Sequence, residues 1–514
     1  MPTEVAPDAH AEPEFVCACE AWARSTCARE GFFREHEGRS YCVLHYPSQD
    51  KTAAFNSALQ NKLEAKDFDF RGVWFPDPVA FGGFQFTRAN FTRAIFSKPA
   101  NFSQANFIES ADFSEVTFYE TVIFSGATFG AGAIFSWAKF GALTRFDWAT
   151  FCGAASFDNT TFSPVTFSKA IFYEGAIFTR ATFSEAAIFD STFKQHANFG
   201  DASFNAAANF IGASFNASAF FDRARFNDEA RFTEARFDAD ATFNLATFSS
   251  SANFRNAIFI AAADFTSVIF ASYVRFVGNE DHPVFGDRSY LDLQHARMER
   301  PERVSFHTLT LRSHWFVNVD ARKFEFVNVK LKPEILQDIK SLTEHLISAP
   351  HRLLDIAYRR LAVNAEENHH YYDAADFRYA AMDVRRQEEW RGMAVWRLAW
   401  WYWLLSGYGE RITRAAGCLL LILVLFAGLY TQVGFVPSAD QTTKPATTIT
   451  TPDTVGTPLH FNQALVHSFE VSILQKPEPK PLTLTARFLV GLETVLGPLQ
   501  AALLALAIRR KFMR

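Results

Sequence analysis

Phenylalanine recurs along this chain at steps that alternate between five and six residues: Phe91, Phe96, Phe102, Phe107, Phe113, Phe118, Phe124. A helix of 3.6 residues per turn cannot keep such a series on one face. A small residue stands two positions before each aromatic, as in Ala89-Asn90-Phe91, Ala94-Ile95-Phe96 and Ala100-Asn101-Phe102, and the triplets continue to Ala263-Asp264-Phe265. Two residues apart on an extended chain means the same face. Phe and Ala therefore point inward, and the Asn, Asp, Thr, Arg or Ile between them points outward. The chain holds 58 Phe against 10 Trp and 13 Tyr. Mixed core packing does not produce that bias, whereas a structural repeat does.

Two steps take eleven residues. With Asn or Asp at the middle position, the triplets resemble the pentapeptide-repeat family, whose consensus is A(D/N)LXX or A(D/N)FXX. The resemblance implies a mainly β fold: a right-handed quadrilateral parallel β-helix with four repeats per coil. One extra residue in every second repeat then gives coils of roughly 22 residues. A two-sided coil of eleven is the rival geometry, disfavoured because two facing Phe would overfill so thin an interior. Residues 81–330 are assigned to this solenoid, with about nine regular coils rising about 4.8 Å each around one central column of stacked rings. Phe91, Phe96, Phe102, Phe107, Phe113 and Phe118 are its first rungs. Each buried Phe contributes roughly 1.5–3 kcal/mol before entropy is counted. The four-residue step from Phe189 to Phe193 predicts a local kink or bulge, and Gly278–Arg300 reads as an interruption before less regular coils over residues 303–330. Residues 51–80 would form the amino-terminal cap or linker.

The repeat shows no recurring nucleophile–base pair, so an enzyme is not expected. Some relatives imitate DNA and protect a topoisomerase. That needs a strongly acidic surface, whereas this chain has a net charge of only −5 and mixes Arg223, Arg225, Arg231 and Arg236 with Asp222, Asp228, Glu229 and Glu234. DNA mimicry is therefore the least supported reading, and no nucleic-acid partner is expected.

Four of the six cysteines fall in the first 42 residues. Cys17, Cys19, Cys27, Cys42 and His45 lie close enough in sequence to hold a structural zinc. Cys42 and His45 would supply two ligands, Cys27 a third, and Cys17 or Cys19 the fourth. A segment as short as residues 1–50 needs such a staple. Tyr41-Cys42-Val43-Leu44-His45-Tyr46-Pro47 resembles the YCxLHxP ending of short Cys3His knobs placed before bacterial pentapeptide arrays. The first fourteen residues are acidic and lack an apolar run, so no signal peptide is expected there.

Past Pro333 the period becomes helical, and residues 331–389 read as a helical hairpin linker with a single tetratricopeptide-like unit around His369 and His370. Residues 390–411 carry Trp390, Trp396, Trp400, Trp401 and Trp403 with Arg391 and Arg397, the pattern of an interfacial helix. Residues 412–514 contain two apolar spans, Ala415–Gly434 and Phe488–Ile508, each long enough to cross a bilayer. Arg391, Arg397, Arg411 and Arg414 before the first span, and Arg509, Arg510 and Lys511 after the second, predict both termini and the β-helix on the cytoplasmic side of an inner or plasma membrane.

Between the spans, residues 461–474 are too short to cross and fit a re-entrant helix. Leu492-Glu493-Thr494-Val495-Leu496-Gly497-Pro498-Leu499 and the apolar residues after it resemble the inner helix of two-helix potassium-type channels, and similar tails occur on bacterial pentapeptide-repeat membrane proteins. Where such a channel carries TxGxG, this chain reads Gln475-Lys476-Pro477-Glu478-Pro479-Lys480-Pro481, without glycine. Glu470 and Glu493 are the candidate pore residues, since intramembrane carboxylates face a bundle or pore. The sequence thus favours a membrane-anchored scaffold presenting its β-helix to a protein partner. The alternative is an oligomeric, ion-channel-like protein with a degenerate filter.

Overall fold

The computed structural model describes residues 15–27, 30–279, 283–286, 288–345, 347–389, 398–436, 457–476 and 478–512. Trp390, Trp396, Arg391, Arg397, Pro477 and most of the Thr-rich stretch after residue 436 lie outside them. The chain divides into two compact units, Met1–Leu331 and Lys332–Arg514.

The first unit is a four-sided parallel β-solenoid. Its sides are sheets of nine to twelve strands, most of them only two residues long, each pairing with the strand one coil away. The short strands follow from the sequence: an Ala-X or X-Phe pair fits between corners, and nothing longer does. Ring stacking sets the register. Phe91 lies 4.7 Å from Phe113 with planes 6° apart, and Phe96, Phe102 and Phe107 stack likewise on Phe118, Phe124 and Phe129. The expected single central column is thus corrected to four, one per side. Consecutive aromatics of the sequence sit on successive sides, and ladder partners in the regular coils lie 21 or 22 residues apart. Two of the columns meet edge to face along the interior, as Phe102 meets Phe113 at 5.7 Å and 88°. Four-fold division of the coil requires this, because one column would leave three sides without filling.

The outward Asn and Asp do more than face water. Asn90 Oδ1 accepts the backbone N–H of Thr92, and Asn101, Asp112, Asn198, Asn209, Asn253 and Asp264 repeat the bond two residues on. These side-chain turns lead into a corner residue with left-handed backbone, recurring about every eleven residues at Arg93, Gln104, Glu115, Gly126, Trp137 and Trp148.

The short step from Phe189 to Phe193 produces no bulge. Phe189 stacks 5.0 Å from both Phe167 and Phe210, and Phe193 4.9 Å from both Phe172 and Phe215. The residue is lost from the corner, where no left-handed residue occurs, and Ser191 Oγ donates to the Phe167 carbonyl at 2.6 Å. A second short step, Phe162 to Phe167, is absorbed in the same way at Pro164, and Phe167 stays 4.8 Å from Phe146.

The solenoid also starts before Phe81: Phe70 stacks on Phe91 at 4.9 Å and Phe75 on Phe96 at 4.2 Å. Helix α1 (Thr52–Glu64) covers this end, with Phe55 edge-on to Phe75 at 5.5 Å. Nor is Gly278–Arg300 an interruption. Tyr290–Asp292 and Arg297–Met298 extend two of the sheets, and Phe285 stacks on Phe259. The strands on either side keep their register although this stretch is longer than a regular coil.

The second unit is helical: α2 (Ile335–Glu344), α3 (Pro350–Glu367), α4 (Tyr371–Glu389), α5 (Leu398–Ser406), α6 (Ile412–Tyr430), α7 (Phe461–Ser472) and α8 (Leu484–Phe512). Helices α3 and α4 form a hairpin that buries Leu354, Tyr358 and Leu361 with Phe377, Ala381 and Val384. Among the described residues, two helices are long and apolar enough to cross a membrane, Ile412–Tyr430 and Leu484–Lys511. Their exposed Leu420, Leu421, Leu425, Phe488 and Val495 suit a lipid surrounding better than water. The short α7 packs between them.

Candidate metal centre and buried carboxylate

The knob before α1 consists of a 3-10 helix, Ala21–Cys27, and an antiparallel hairpin, Arg34–His36 with Arg39–Tyr41. The hairpin delivers Cys42 into a tight turn closed by the Tyr46 N–H on the Cys42 carbonyl. That turn brings His45 Nδ1 to 3.2 Å from Cys42 Sγ. Cys17, Cys27, Cys42 and His45 are all buried, and their ligand atoms lie within 4.8 Å of one another. Cys19 Sγ is 3.7 Å from Cys27 Sγ but half-exposed, and it falls outside the convergent four.

The surroundings prepare the imidazole for ligation. His45 Nε2 lies 3.0 Å from the Arg71 carbonyl. A hydrogen bond there places the proton on Nε2 and leaves Nδ1 free for a cation. Gly72, in a left-handed corner of the first coil, backs the ring, and a Cβ there would stand 3.5 Å from His45 Cδ2. The Trp74 N–H donates to the Leu44 carbonyl at 3.0 Å, so the ligand turn docks on the first strand of the rod.

Lys51 is wholly buried, and its Nζ donates to the Val43 and Leu44 carbonyls at 2.7 and 2.9 Å. Burial pushes it down to about 7, against the pull of the Cys42 and Cys17 thiolates. Hydrogen bonds from Cys19, Cys27 and Cys42 hold Cys17 well below the usual thiol range. Hydrogen bonding to Cys17 pushes Cys19 up to about 12. For His45, burial opposes the charged form, but hydrogen bonds to Cys17 and Cys42 win and raise it to about 9. Three thiolates around a divalent cation would leave one net negative charge, which Lys51 is placed to balance. Three sulfurs and one imidazole suit zinc in closed tetrahedral coordination. The sequence holds no signal for Lys51 in this role, because its contacts depend on how the turn folds back.

In the second unit, Glu493 is fully buried in α8. Hydroxyls converge on it from both neighbouring helices: Tyr430 of α6, Ser468 of α7, and Ser472 of α7 at 3.5 Å. Gly497 lies one turn further on, where a Cβ would overlap Ser472, so its lack of a side chain lets α7 and α8 approach. Glu470 is half-buried and faces a cleft on the far side of α7, apart from Glu493. At the other end of the membrane-length helices, Glu410 pairs with Arg378 of α4 at 3.1 Å and Arg510 of α8 at 3.4 Å. Arg411 pairs with Asp376 at 3.0 Å. His369 and His370 stand exposed in the α3–α4 turn.

Residues 91–138 match the family described as pentapeptide repeats (9 copies), and the solenoid is a pentapeptide-repeat array. Among solved structures, two trypsin-treated variants of QnrB1, a plasmid-mediated fluoroquinolone resistance protein, are similar at 16% identity. The matches cover 53% of this chain and 94% of theirs, with a TM-score of 0.13. So loose a superposition carries no functional argument. No match was found among curated proteins.

Proposed function

We propose that this pentapeptide-repeat chain is a membrane-anchored scaffold that presents its β-helix to a protein partner on the cytoplasmic face. The observation that carries the reading is the joining, in one chain, of a rigid repeat array to two helices of membrane-crossing length and composition. The rod offers anchors of the kind that dominate protein interfaces: Tyr119, Trp137 and Trp148 are 62%, 59% and 69% exposed. Ion pairs such as Arg93–Glu115 and Arg223–Asp201 tie neighbouring coils and leave a mixed-charge surface suited to a protein more than to nucleic acid. Basic residues before the first span (Arg411, Arg414) and after the second (Arg509, Arg510, Lys511) favour cytoplasmic termini. The amino-terminal knob holds a structural zinc through Cys17, Cys27, Cys42 and His45. The test is affinity capture from membranes with the full chain and a Trp137→Ala/Trp148→Ala variant, beside protease protection of both termini. The reading fails if the termini are shielded from the cytoplasmic side, or if both proteins retain the same partners.

A second reading, an oligomeric channel-like protein, draws on the short α7 between two membrane-length helices and the hydroxyl-lined Glu493. Ion currents from purified protein in bilayers, lost in Glu493→Gln, would favour it over the scaffold.

A further inference from the structure

We infer that the cleft beside the amino-terminal half of α7 is a binding site for a small organic ammonium ion. This inference stands independently of the scaffold and channel readings. The cleft has a volume of about 430 Å³, within the range of small-molecule sites. It lies where the chain leaving α6 is held between two later segments. The Phe435 N–H donates to Thr457 and the Val436 N–H to Lys480, both at 3.0 Å. Polar side chains from two segments face it: His460, Asn462, Gln463, His467 and Glu470 from α7 and its N-cap, and Glu478 from the chain after it.

Three observations fix the chemistry of the occupant. The first is His467, which lines the cleft yet is only 2% exposed, and neither ring nitrogen has a hydrogen-bond partner among the described residues. The Glu478 main chain approaches the ring without completing a bond. Tyr430 and Phe435 grip the imidazole edge-on at 5.2 and 5.0 Å, so it cannot swing out to find water. Buried imidazoles are normally satisfied, and an occupant of the cleft is in position to supply a partner to this ring.

The second is charge. Glu470 stands three residues after His467, on the same helix face. Glu470 and Glu478 line the cleft, and among the described residues its walls hold no Lys or Arg and neither carboxylate is ion-paired. An anion would be repelled, while a cation would find two carboxylates. The third is geometry. Among the described residues, the only His, Cys, Asp and Glu donors that converge to metal-ligand distance are those of the amino-terminal knob. The cleft's donors are spread around a larger space, which suits an ammonium group. Its N–H bonds can reach an imidazole nitrogen, a carboxylate and the amide oxygens of Asn462 or Gln463 together.

The test uses the full chain in lipid nanodiscs, titrated calorimetrically with ethylamine, ethanolamine, tetramethylammonium and acetate. Saturable binding of a primary amine is expected, with Glu470→Gln weakening it at least about tenfold, equivalent to about 1.4 kcal/mol. Tetramethylammonium, which has the charge but no N–H, should bind at least about tenfold more weakly than ethylamine. Acetate should not bind. His467→Phe should abolish the preference for N–H donors. If that variant does not fold, Glu470→Gln, at a half-buried position away from the Tyr430–Glu493 contact, decides with its thermal melting as control. The inference is overturned if no amine saturates, if Glu470→Gln binds as the parent does, or if tetramethylammonium or acetate binds as well as ethylamine.

Discussion

The solenoid and the junction of α6, α7 and α8 solve the same problem, filling an interior, by opposite means. In the solenoid every rung repeats: Phe113 touches Phe91 below and Phe135 above, as Phe135 touches Phe113 and Phe157. At the helix junction each contact occurs once. Glu493 meets Tyr430, 63 residues away in the chain, and Ser468, 25 away. Repetition spreads stability over many equivalent contacts, while a unique constellation concentrates it. The amino-terminal knob, though it belongs to the rod, is built on the second plan.

The largest expected effect therefore falls on a unique site. In small peptides a structural zinc supplies about 10–16 kcal/mol of folding free energy. Chelation, or Cys42→Ser, should abolish hydrogen-exchange protection over residues 15–46 and leave the far-ultraviolet spectrum of the rod intact. Cys19→Ser should retain one bound metal. Zinc should leave as pH falls from about 7 to about 5, because its thiolate ligands must be protonated to release it. If Cys19→Ser loses the metal, the assignment of the four ligands is wrong.

Removing one rung by Phe210→Ala should cost about 3–5 kcal/mol in denaturant unfolding. The same change should cost a similar amount at Phe113 or Phe232, since their surroundings are equivalent. Unequal losses would show that the coils are not interchangeable. At the helix junction, Glu493→Ala leaves hydroxyls unpaired, with an expected loss of about 1–3 kcal/mol in detergent unfolding. Glu493→Gln keeps an acceptor and should lose less.

The smallest effects belong to the corners. Asn198→Ala removes a side-chain bond to the Gly200 N–H and should cost about 0.5–1.5 kcal/mol. Leu245 adopts a φ of 58°. Leu245→Gly should relieve that strain and raise stability by at most about 1 kcal/mol, read as a small increase in melting temperature. A marked destabilisation at Leu245 would mean that the exposed side chain packs in a way the corner geometry does not require.

Much of the rod was legible beforehand because its information is local. Ala89-Asn90-Phe91 states its own inward and outward faces, and the alternation of five and six states the coil length. The defects of the repeat are not legible in this local way. The step from Phe189 to Phe193 looks like a break when counted along the chain, yet corners absorb a lost residue without moving the strands. The stretch Gly278–Arg300 hides its rungs because Leu291 stands in register with Ala263, where a small residue is the rule, and Met298 with Phe270, where Phe is the rule. The role of Asn and Asp as turn-formers depends on the left-handed corner residue that follows them, which the triplets do not specify.

The sequence by itself determined the period of the solenoid, the apolar rungs and the two spans of membrane-crossing length. Each is a pattern written within a few dozen consecutive residues, which secondary-structure geometry converts directly into a face or a length. Only the tertiary structure decided that Cys17 and not Cys19 joins the convergent four, that Lys51 turns inward over their loop, and that Glu493 is enclosed by hydroxyls while Glu470 faces a separate cleft. Those outcomes depend on side chains brought together by packing across tens of residues, and no local period encodes where a fold will close on itself.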